Sequence, residues 1–129
     1  MSVELTLLLW STVLLGAYIG VQSMAYRFEK GFIYSASPRD NEPPDGIYAA
    51  RGAKALRNFL ETYGVFIALV VILELAGRSD ALTQWGAHLW FWSRWVYLPL
   101  YVLGIYYLRS AVWVVAGTGL GLMFLGILF

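Results

Sequence analysis

Four long apolar segments dominate this chain and leave few folds open to it. They lie at Leu5–Tyr26, Arg57–Ala76, Leu82–Leu103 and Leu108–Phe129, and each is close to the roughly 20 residues that a helix needs to cross a bilayer. Of the 129 residues, 60% are hydrophobic and only 13% are charged, which is far from an average soluble domain. The sequence therefore predicts an all-α integral membrane protein in which four transmembrane helices form an up-and-down bundle.

A single membrane domain over residues 1–129 accounts for the whole pattern. We expect helices at about 5–26, 48–76, 82–103 and 108–129. Residues 27–47 are predicted to form a loop, because this stretch holds three of the four prolines and two glycines. Asp45 is the expected N-cap of the second helix.

The basic residues indicate how the bundle is oriented. They cluster in or beside the first and third connections, at Arg27, Lys30, Arg39, Arg51, Lys54, Arg57 and Arg109. The positive-inside rule puts these connections in the cytosol and both termini outside. A net charge of +1 gives no reason to expect nucleic acid as a partner.

The absence of cysteine limits the chemistry that the chain can perform alone. There is no thiolate for metal binding or nucleophilic attack, so any sulfur chemistry must come from a ligand. The single histidine, His88, is expected to form a hydrogen bond on its helix rather than to bind zinc.

Polar groups in the second segment point to a binding site. Arg51, Lys54, Asn58 and Glu61 are spaced at i, i+3, i+7 and i+10, so they share one helix face. Charged groups at membrane depth are costly unless they are paired or face a cavity. With Arg94, Tyr97, Tyr101 and Arg109, the set contains more cations than its one carboxylate, Glu61, which predicts an anion site on the cytosolic side.

A purely structural role is the alternative for two of these residues. Asn58 and Glu61 could join helices by pairing with Arg94 or Arg57. Two small-xxx-small pairs, Gly16/Gly20 and Gly117/Gly121, also predict close helix contacts within a subunit or between subunits.

The order of these residues resembles the MAPEG superfamily, membrane-associated proteins in eicosanoid and glutathione metabolism. The resemblance rests on three motifs: RGAKALRNFLET at residues 51–62, Arg94-x-x-Tyr97-x-x-x-Tyr101, and Arg109-Ser110-x-x-Trp113. It covers essentially the whole chain, and the loop with Pro38-Arg39-Asp40 and Gly46 is similar to that of bacterial members. The resemblance implies a homotrimer with glutathione bound between neighbouring subunits near the cytosolic face.

Site residues follow from the resemblance, motif by motif. It implies that glutathione, as cosubstrate, is bound by Arg51, Lys54, Asn58, Glu61, Arg94, Tyr97 and Tyr101. Arg109, with Ser110, is implied to stabilise the thiolate. Lys54 stands where the family often has arginine, which would replace a bidentate clamp with a point charge.

The resemblance thus implies a transferase or peroxidase of the bacterial inner membrane that acts on lipophilic electrophiles arriving with the lipids. A trimeric protein that binds glutathione or another anionic amphiphile without turnover is the alternative. A small multidrug antiporter is disfavoured, because its essential glutamate lies in the first span, where this chain has only Glu4 at the edge.

Overall fold

The computed structural model describes residues 1–129 and is entirely helical. Its helices are α1 (Val3–Lys30), α2 (Phe32–Ala36), α3 (Ile47–Ala76), α4 (Ala81–Val102) and α5 (Tyr106–Leu128). The four long helices agree with the predicted segments to within about two residues, except at the end of α1. The predicted loop 27–47 is wrong in part, because α1 continues to Lys30 and residues 32–36 form a short helix.

The long helices pack as an up-and-down bundle. Helices α3 and α4 contact each other and both of the remaining long helices, whereas α1 and α5 do not touch. Both termini lie at the end that holds the α3–α4 turn, since Ser2 contacts Glu74 and Arg78 contacts the carbonyl of Phe129. The opposite end carries α2, the start of α3 and the α4–α5 turn.

Three helices, α1, α3 and α5, are long and apolar enough to cross a membrane. The predicted third span, which corresponds to α4, is not among them. It is 22 residues long and carries Gln84, His88 and Arg94 among its tryptophans and tyrosines. These side chains lower its mean hydropathy without shortening the helix.

An aromatic core holds α1, α3 and α4 together. Trp90 stacks on Phe66 with ring centroids 4.1 Å apart, and Tyr18 stacks on Phe59 at 4.6 Å. The Tyr18 hydroxyl also donates to the backbone carbonyl of Arg94 at 2.6 Å. Because these rings are fully buried, they fix the positions of α3 and α4 around the polar residues between them.

Glycine allows α4 and α5 to approach closely. A Cβ added at Gly119 would lie 2.5 Å from the carbonyl oxygen of Gly86, and one added at Gly126 would lie 2.5 Å from the Thr83 methyl. In contrast, Gly16 and Gly121 have open space on their Cβ side. The same holds for Gly20 and Gly117, so neither predicted pair makes a close contact within the subunit.

A carboxylate near the N-terminus is buried at the opposite end from the basic residues. Glu4 is fully buried in the first turn of α1. It accepts hydrogen bonds from the hydroxyls of Ser79, at 3.0 Å, and Thr83, at 3.1 Å. Thr83 is itself the third residue of a capping box with Asp80, so Glu4 fastens α1 to the start of α4.

Ion pairs close the connection between α1 and α3. The Lys30 ammonium donates to Glu42 at 2.9 Å and to Asp45 at 2.6 Å, and the hydrogen bond from Lys30 holds the pKa of the Glu42 carboxyl below its usual range. The predicted role of Asp45 as N-cap is wrong. Gly46 is the N-cap, and a Glu29 oxygen accepts hydrogen bonds from the second and third amides of α3, those of Tyr48 and Ala49.

Candidate functional site

Arg94 and Asn58 form the polar link between α3 and α4. Arg94 is 1% exposed, and its Nη1 donates to the Asn58 Oδ1 at 2.8 Å. Its guanidinium lies 4.4 Å from the Tyr97 ring centroid, a cation–π distance. Because arginine can only donate, the amide oxygen of Asn58 must face it. The Asn58 NH₂ group is then left without a partner in the subunit and free to donate.

A cleft of about 200 Å³ opens beside Asn58. We refer to it as the Arg109 cleft, and its lining residues come from three helices: Asn58, Tyr97, Arg109, Ser110 and Trp113. The Arg109 guanidinium lies over the Tyr101 ring, 4.4 Å from its centroid. The Ser110 hydroxyl donates to the carbonyl of Tyr106 at 3.0 Å, so toward a ligand it acts first as an acceptor.

The cleft carries unneutralised positive charge. Both salt bridges in the subunit involve Lys30 at the end of α1, so neither Arg94 nor Arg109 is paired with a carboxylate. The Asn58 amide adds a neutral donor to this field. Such an arrangement favours an anionic ligand, because a low-dielectric surround strengthens its attraction to the guanidinium groups.

Arg51, the first residue of the predicted stripe, joins helices instead of facing the cleft. Its Nη1 donates to the carbonyl of Val102 at 3.0 Å. Its guanidinium packs on Gly104, where an added Cβ would lie 3.0 Å from Nη2 and where φ is +77°. Arg51 therefore secures the turn that leads from α4 to the start of α5.

The rest of the predicted stripe lies on the outside of the subunit. Lys54 and Glu61 are exposed and form no side-chain hydrogen bond or ion pair. Glu61 lines a surface groove of about 500 Å³, the Glu61 groove, with Gln22, Ala53, Leu56, Arg57 and Leu60. The structural pairing expected for Glu61 is wrong within the subunit, whereas that expected for Asn58 with Arg94 is confirmed.

His88 has the role in its helix that the sequence predicts. The Trp92 Nε1 donates to the His88 Nδ1 at 3.2 Å, one turn further along α4. This hydrogen bond makes Nδ1 the acceptor and leaves the ring proton of a neutral imidazole on Nε2.

Comparison with known proteins identifies the family of this chain. The model of the MAPEG family matches residues 6–129, nearly the entire chain. The chain belongs to the MAPEG family. No curated protein and no solved structure matches it. MAPEG members are membrane proteins generally associated with glutathione-dependent transferase and peroxidase chemistry.

Within this MAPEG subunit, the predicted site residues are divided among five places. Asn58, Tyr97, Arg109 and Ser110 meet in the Arg109 cleft. The others are Tyr101 beneath Arg109, Arg94 behind Asn58, Arg51 at the α4–α5 turn, and Lys54 and Glu61 on the outer surface. Sequence reasoning did not assign Trp113 or Gln22 to the site. Trp113 follows Arg109 by one helical turn, and Gln22 is a polar residue within the first span, which are the signals that could have identified them.

Proposed function

We propose that this MAPEG protein is a glutathione-dependent transferase or peroxidase that acts on lipophilic electrophiles. The observation that carries the proposal is the Arg109 cleft, where a guanidinium without a carboxylate lies beside the Asn58 amide and the Tyr97 ring. Glutathione is a net anion, and its thiol becomes a better nucleophile when a nearby cation stabilises the thiolate. Since the chain has no cysteine, the cosubstrate supplies the sulfur.

The size of the cleft supports a site completed by a second subunit. Small-molecule sites usually enclose about 300–1,000 Å³, and the Arg109 cleft offers about 200 Å³. The Glu61 groove offers a further volume of about 500 Å³ and adds the polar side chains of Gln22, Arg57 and Glu61. In the homotrimer that we propose, glutathione lies between the Arg109 cleft of one subunit and the Glu61 groove of the next.

The unpaired polar residues of α3 support the same arrangement. Lys54, Arg57 and Glu61 are exposed near the membrane-crossing part of α3 and have no partner in the subunit. Charges at this depth are costly when they face lipid. A neighbouring subunit with a bound anion would provide partners for all three, and the open faces of Gly16 and Gly121 would allow close helix contacts.

We further propose that α4 is a fourth span and that the basic end of the bundle lies in the cytosol of a bacterial inner membrane. Its 22 residues extend to about 33 Å at 1.5 Å per residue, which matches a hydrocarbon core of about 30 Å. The termini would then be periplasmic. Lipophilic electrophiles would reach the bound thiol from the surrounding lipid.

Ultraviolet difference spectroscopy of the purified protein with glutathione tests the proposal. A thiolate absorption band near neutral pH is expected for the wild-type protein, and it should disappear in Arg109→Ala. Arg78→Ala is the matched control, because Arg78 is an exposed arginine at the opposite end of the bundle that contacts the carbonyl of Phe129. Glutathione binding without a thiolate band would instead support the alternative, a non-catalytic protein that binds glutathione.

A further inference from the structure

A groove runs along the outer side of α4, away from the rest of the bundle. It consists of two adjoining pockets of about 490 and 350 Å³, which share Trp85, His88 and Trp92. We refer to the two pockets together as the His88 groove. The first pocket also contains Gln84 near the start of α4. The second reaches α5 along an aliphatic wall of Leu89, Val96, Val112 and Val115.

The His88 groove lies on the opposite side of α4 from the residues assigned to glutathione. Trp85 and Arg94 are nine residues apart, which is about two and a half helical turns, so their side chains leave the helix in opposite directions. The Glu61 groove is lined by α1 and α3 alone. In the proposed trimer, a neighbour that joins the Arg109 cleft to the Glu61 groove would therefore leave the His88 groove open to lipid.

Depth along α4 distinguishes this groove from an ordinary aromatic belt. Tryptophans that anchor a span lie at its ends, near the lipid headgroups. At 1.5 Å per residue, His88 lies about 10 Å beyond Ala81, the first residue of α4, and Trp92 lies about 16 Å beyond it, near the middle of the helix. Yet the Trp92 side chain is 58% exposed. A histidine and an exposed tryptophan at this depth indicate a site rather than an anchor.

His88 presents one unused hydrogen-bond donor to the groove. Its Nδ1 accepts from the Trp92 Nε1 at 3.2 Å, so the ring donates through Nε2. The Nε2 atom forms no hydrogen bond in the subunit and is not buried. A donor that faces hydrocarbon has no water to satisfy it and is strongly unfavourable there. The groove therefore favours a ligand that brings a hydrogen-bond acceptor.

The lining determines the rest of the ligand's chemistry. It contains no aspartate, glutamate, lysine or arginine, so nothing would offset the cost of bringing a charged ligand to this depth. Tryptophans flank His88 on both sides, and the wall beyond them is aliphatic. An uncharged molecule with a carbonyl oxygen and an apolar body matches this pattern. The ester carbonyls of phospholipids do not, because they lie at the edge of the hydrocarbon core, well short of His88.

We propose that the His88 groove binds an uncharged, lipid-soluble carbonyl compound. Its oxygen accepts from the His88 Nε2–H, and its apolar part lies along Leu89, Val96 and Val112. Such a molecule enters from the bilayer and requires no glutathione to bind. The site depends on the proposed position of α4 as a membrane span, but not on the chemistry proposed for the Arg109 cleft.

Photolabelling with benzophenone tests the site in lipid nanodiscs without glutathione. Benzophenone is an uncharged diaryl ketone whose excited carbonyl bonds covalently to nearby C–H groups. Peptide mass spectrometry should locate saturable labelling at residues 85–96 of α4 and 112–115 of α5. Methyl nonyl ketone should compete with the label. Undecane, which has the same number of carbon atoms but no oxygen, should compete much more weakly.

Two variants isolate the contribution of His88. Trp92→Phe keeps the Nε2 donor and should still be labelled and protected by the ketone. Adding His88→Phe keeps an aromatic ring but removes the donor, and it should raise the ketone concentration for half competition by about fivefold, as expected for one hydrogen bond. The comparison is made in the Trp92→Phe background, because His88→Phe alone would release the Trp92 N–H to serve as the donor.

Three results would each overturn the proposal. These are the absence of saturable labelling in the groove, equal competition by the ketone and undecane, and equal competition in the two variants. If the double variant does not assemble, the comparison of ketone with undecane on the wild-type protein decides alone. Because glutathione is left out, failure here is independent of the proposed transferase or peroxidase function, which the thiolate band tests separately.

Discussion

Substitution of Gly119 by alanine should disrupt the tightest helix contact in the molecule. The added Cβ would lie 2.5 Å from the Gly86 carbonyl oxygen, 2.8 Å from the Trp90 amide nitrogen and 3.1 Å from the Leu89 Cβ. The first two are backbone atoms, so no side chain can rotate away. Helices α4 and α5 would have to separate by several tenths of an ångström. The separation would also move Trp90, which belongs to the aromatic core.

The magnitude follows from what such a separation costs. Overpacking a well-packed interior typically destabilises a protein by about 1–3 kcal/mol, and the backbone clash puts Gly119→Ala toward the upper part of this range. The matched control is Gly121→Ala on the same helix, where an added Cβ meets nothing within 4 Å. Its effect on the subunit should remain within about 0.5 kcal/mol, as for other surface positions.

Unfolding of both variants by a denaturing detergent, followed by circular dichroism, measures the difference. Mass measurement in mild detergent is made in parallel, because Gly121 faces outward and is expected to lie at a subunit contact. Gly119→Ala should lower the unfolding midpoint, while Gly121→Ala should change assembly more than unfolding. A Gly119→Ala protein as stable as the wild type would refute the close α4–α5 contact.

Four further predictions concern the site, the orientation and the loop. Arg109→Ala should lower turnover with an aryl halide by one or more orders of magnitude and change glutathione affinity little, because stabilisation increases as charge develops on sulfur; full activity would exclude the catalytic role. Glu61→Gln should weaken both glutathione binding and the trimer, measured by calorimetry and mass; if neither changes, Glu61 has neither role. Cysteines introduced at Ser2 and Ser37 should react with an impermeant reagent from opposite sides of the membrane, and labelling of both in intact cells would contradict the orientation. Because the pKa of Glu42 is lowered in the folded protein, its ionised carboxylate stabilises the loop at pH values above the ordinary glutamate pKa of about 4.3. This stabilisation is lost as the pH falls below that value and through the lowered pKa. Proteolysis of the loop should therefore increase at low pH, and a Glu42→Gln protein should show no such increase.

The sequence predicted the four long helices from their length and apolar character, although α4 is not among the three that are long and apolar enough to cross a membrane. It was wrong about the first connection, since Pro38, Pro43 and Pro44 suggested a loop while α2 forms just before them. The sequence predicts Asp45 as the N-cap, yet Lys30 of α1 holds its carboxylate in an ion pair. An N-cap can be predicted from the local sequence only when no charged residue elsewhere in the chain binds the capping side chain.

The site was predicted less completely than the fold. Helical spacing predicts that Arg51, Lys54, Asn58 and Glu61 share one face of α3, but that face is wider than the Arg109 cleft. Asn58 alone among them lines the Arg109 cleft, while Glu61 lines the groove on the outer surface. Periodicity within one helix does not show which part of its face the neighbouring helices cover. The position of those helices decides which residues share a cavity.

The same limit explains the glycine pairs. Spacing singled out Gly117 and Gly121, whereas the close contact is made by Gly119, two residues away and paired with Gly86 on α4. Gly119 belongs instead to the buried series Ala116, Gly119, Met123 and Gly126, at i, i+3, i+7 and i+10, which a search for glycines four residues apart passes over. Its role depends on a glycine in another helix, which a search for spacing along one segment does not find.

The burial of Glu4 has a consequence for how the chain is assembled during synthesis. Its hydrogen-bond donors, Ser79 and Thr83, are made some 75 residues later, after two long helices have been translated. Until then, the carboxylate has no partner and must remain hydrated. The beginning of α1 therefore docks only when the start of α4 arrives, so the first residues to be translated are among the last to reach their final place.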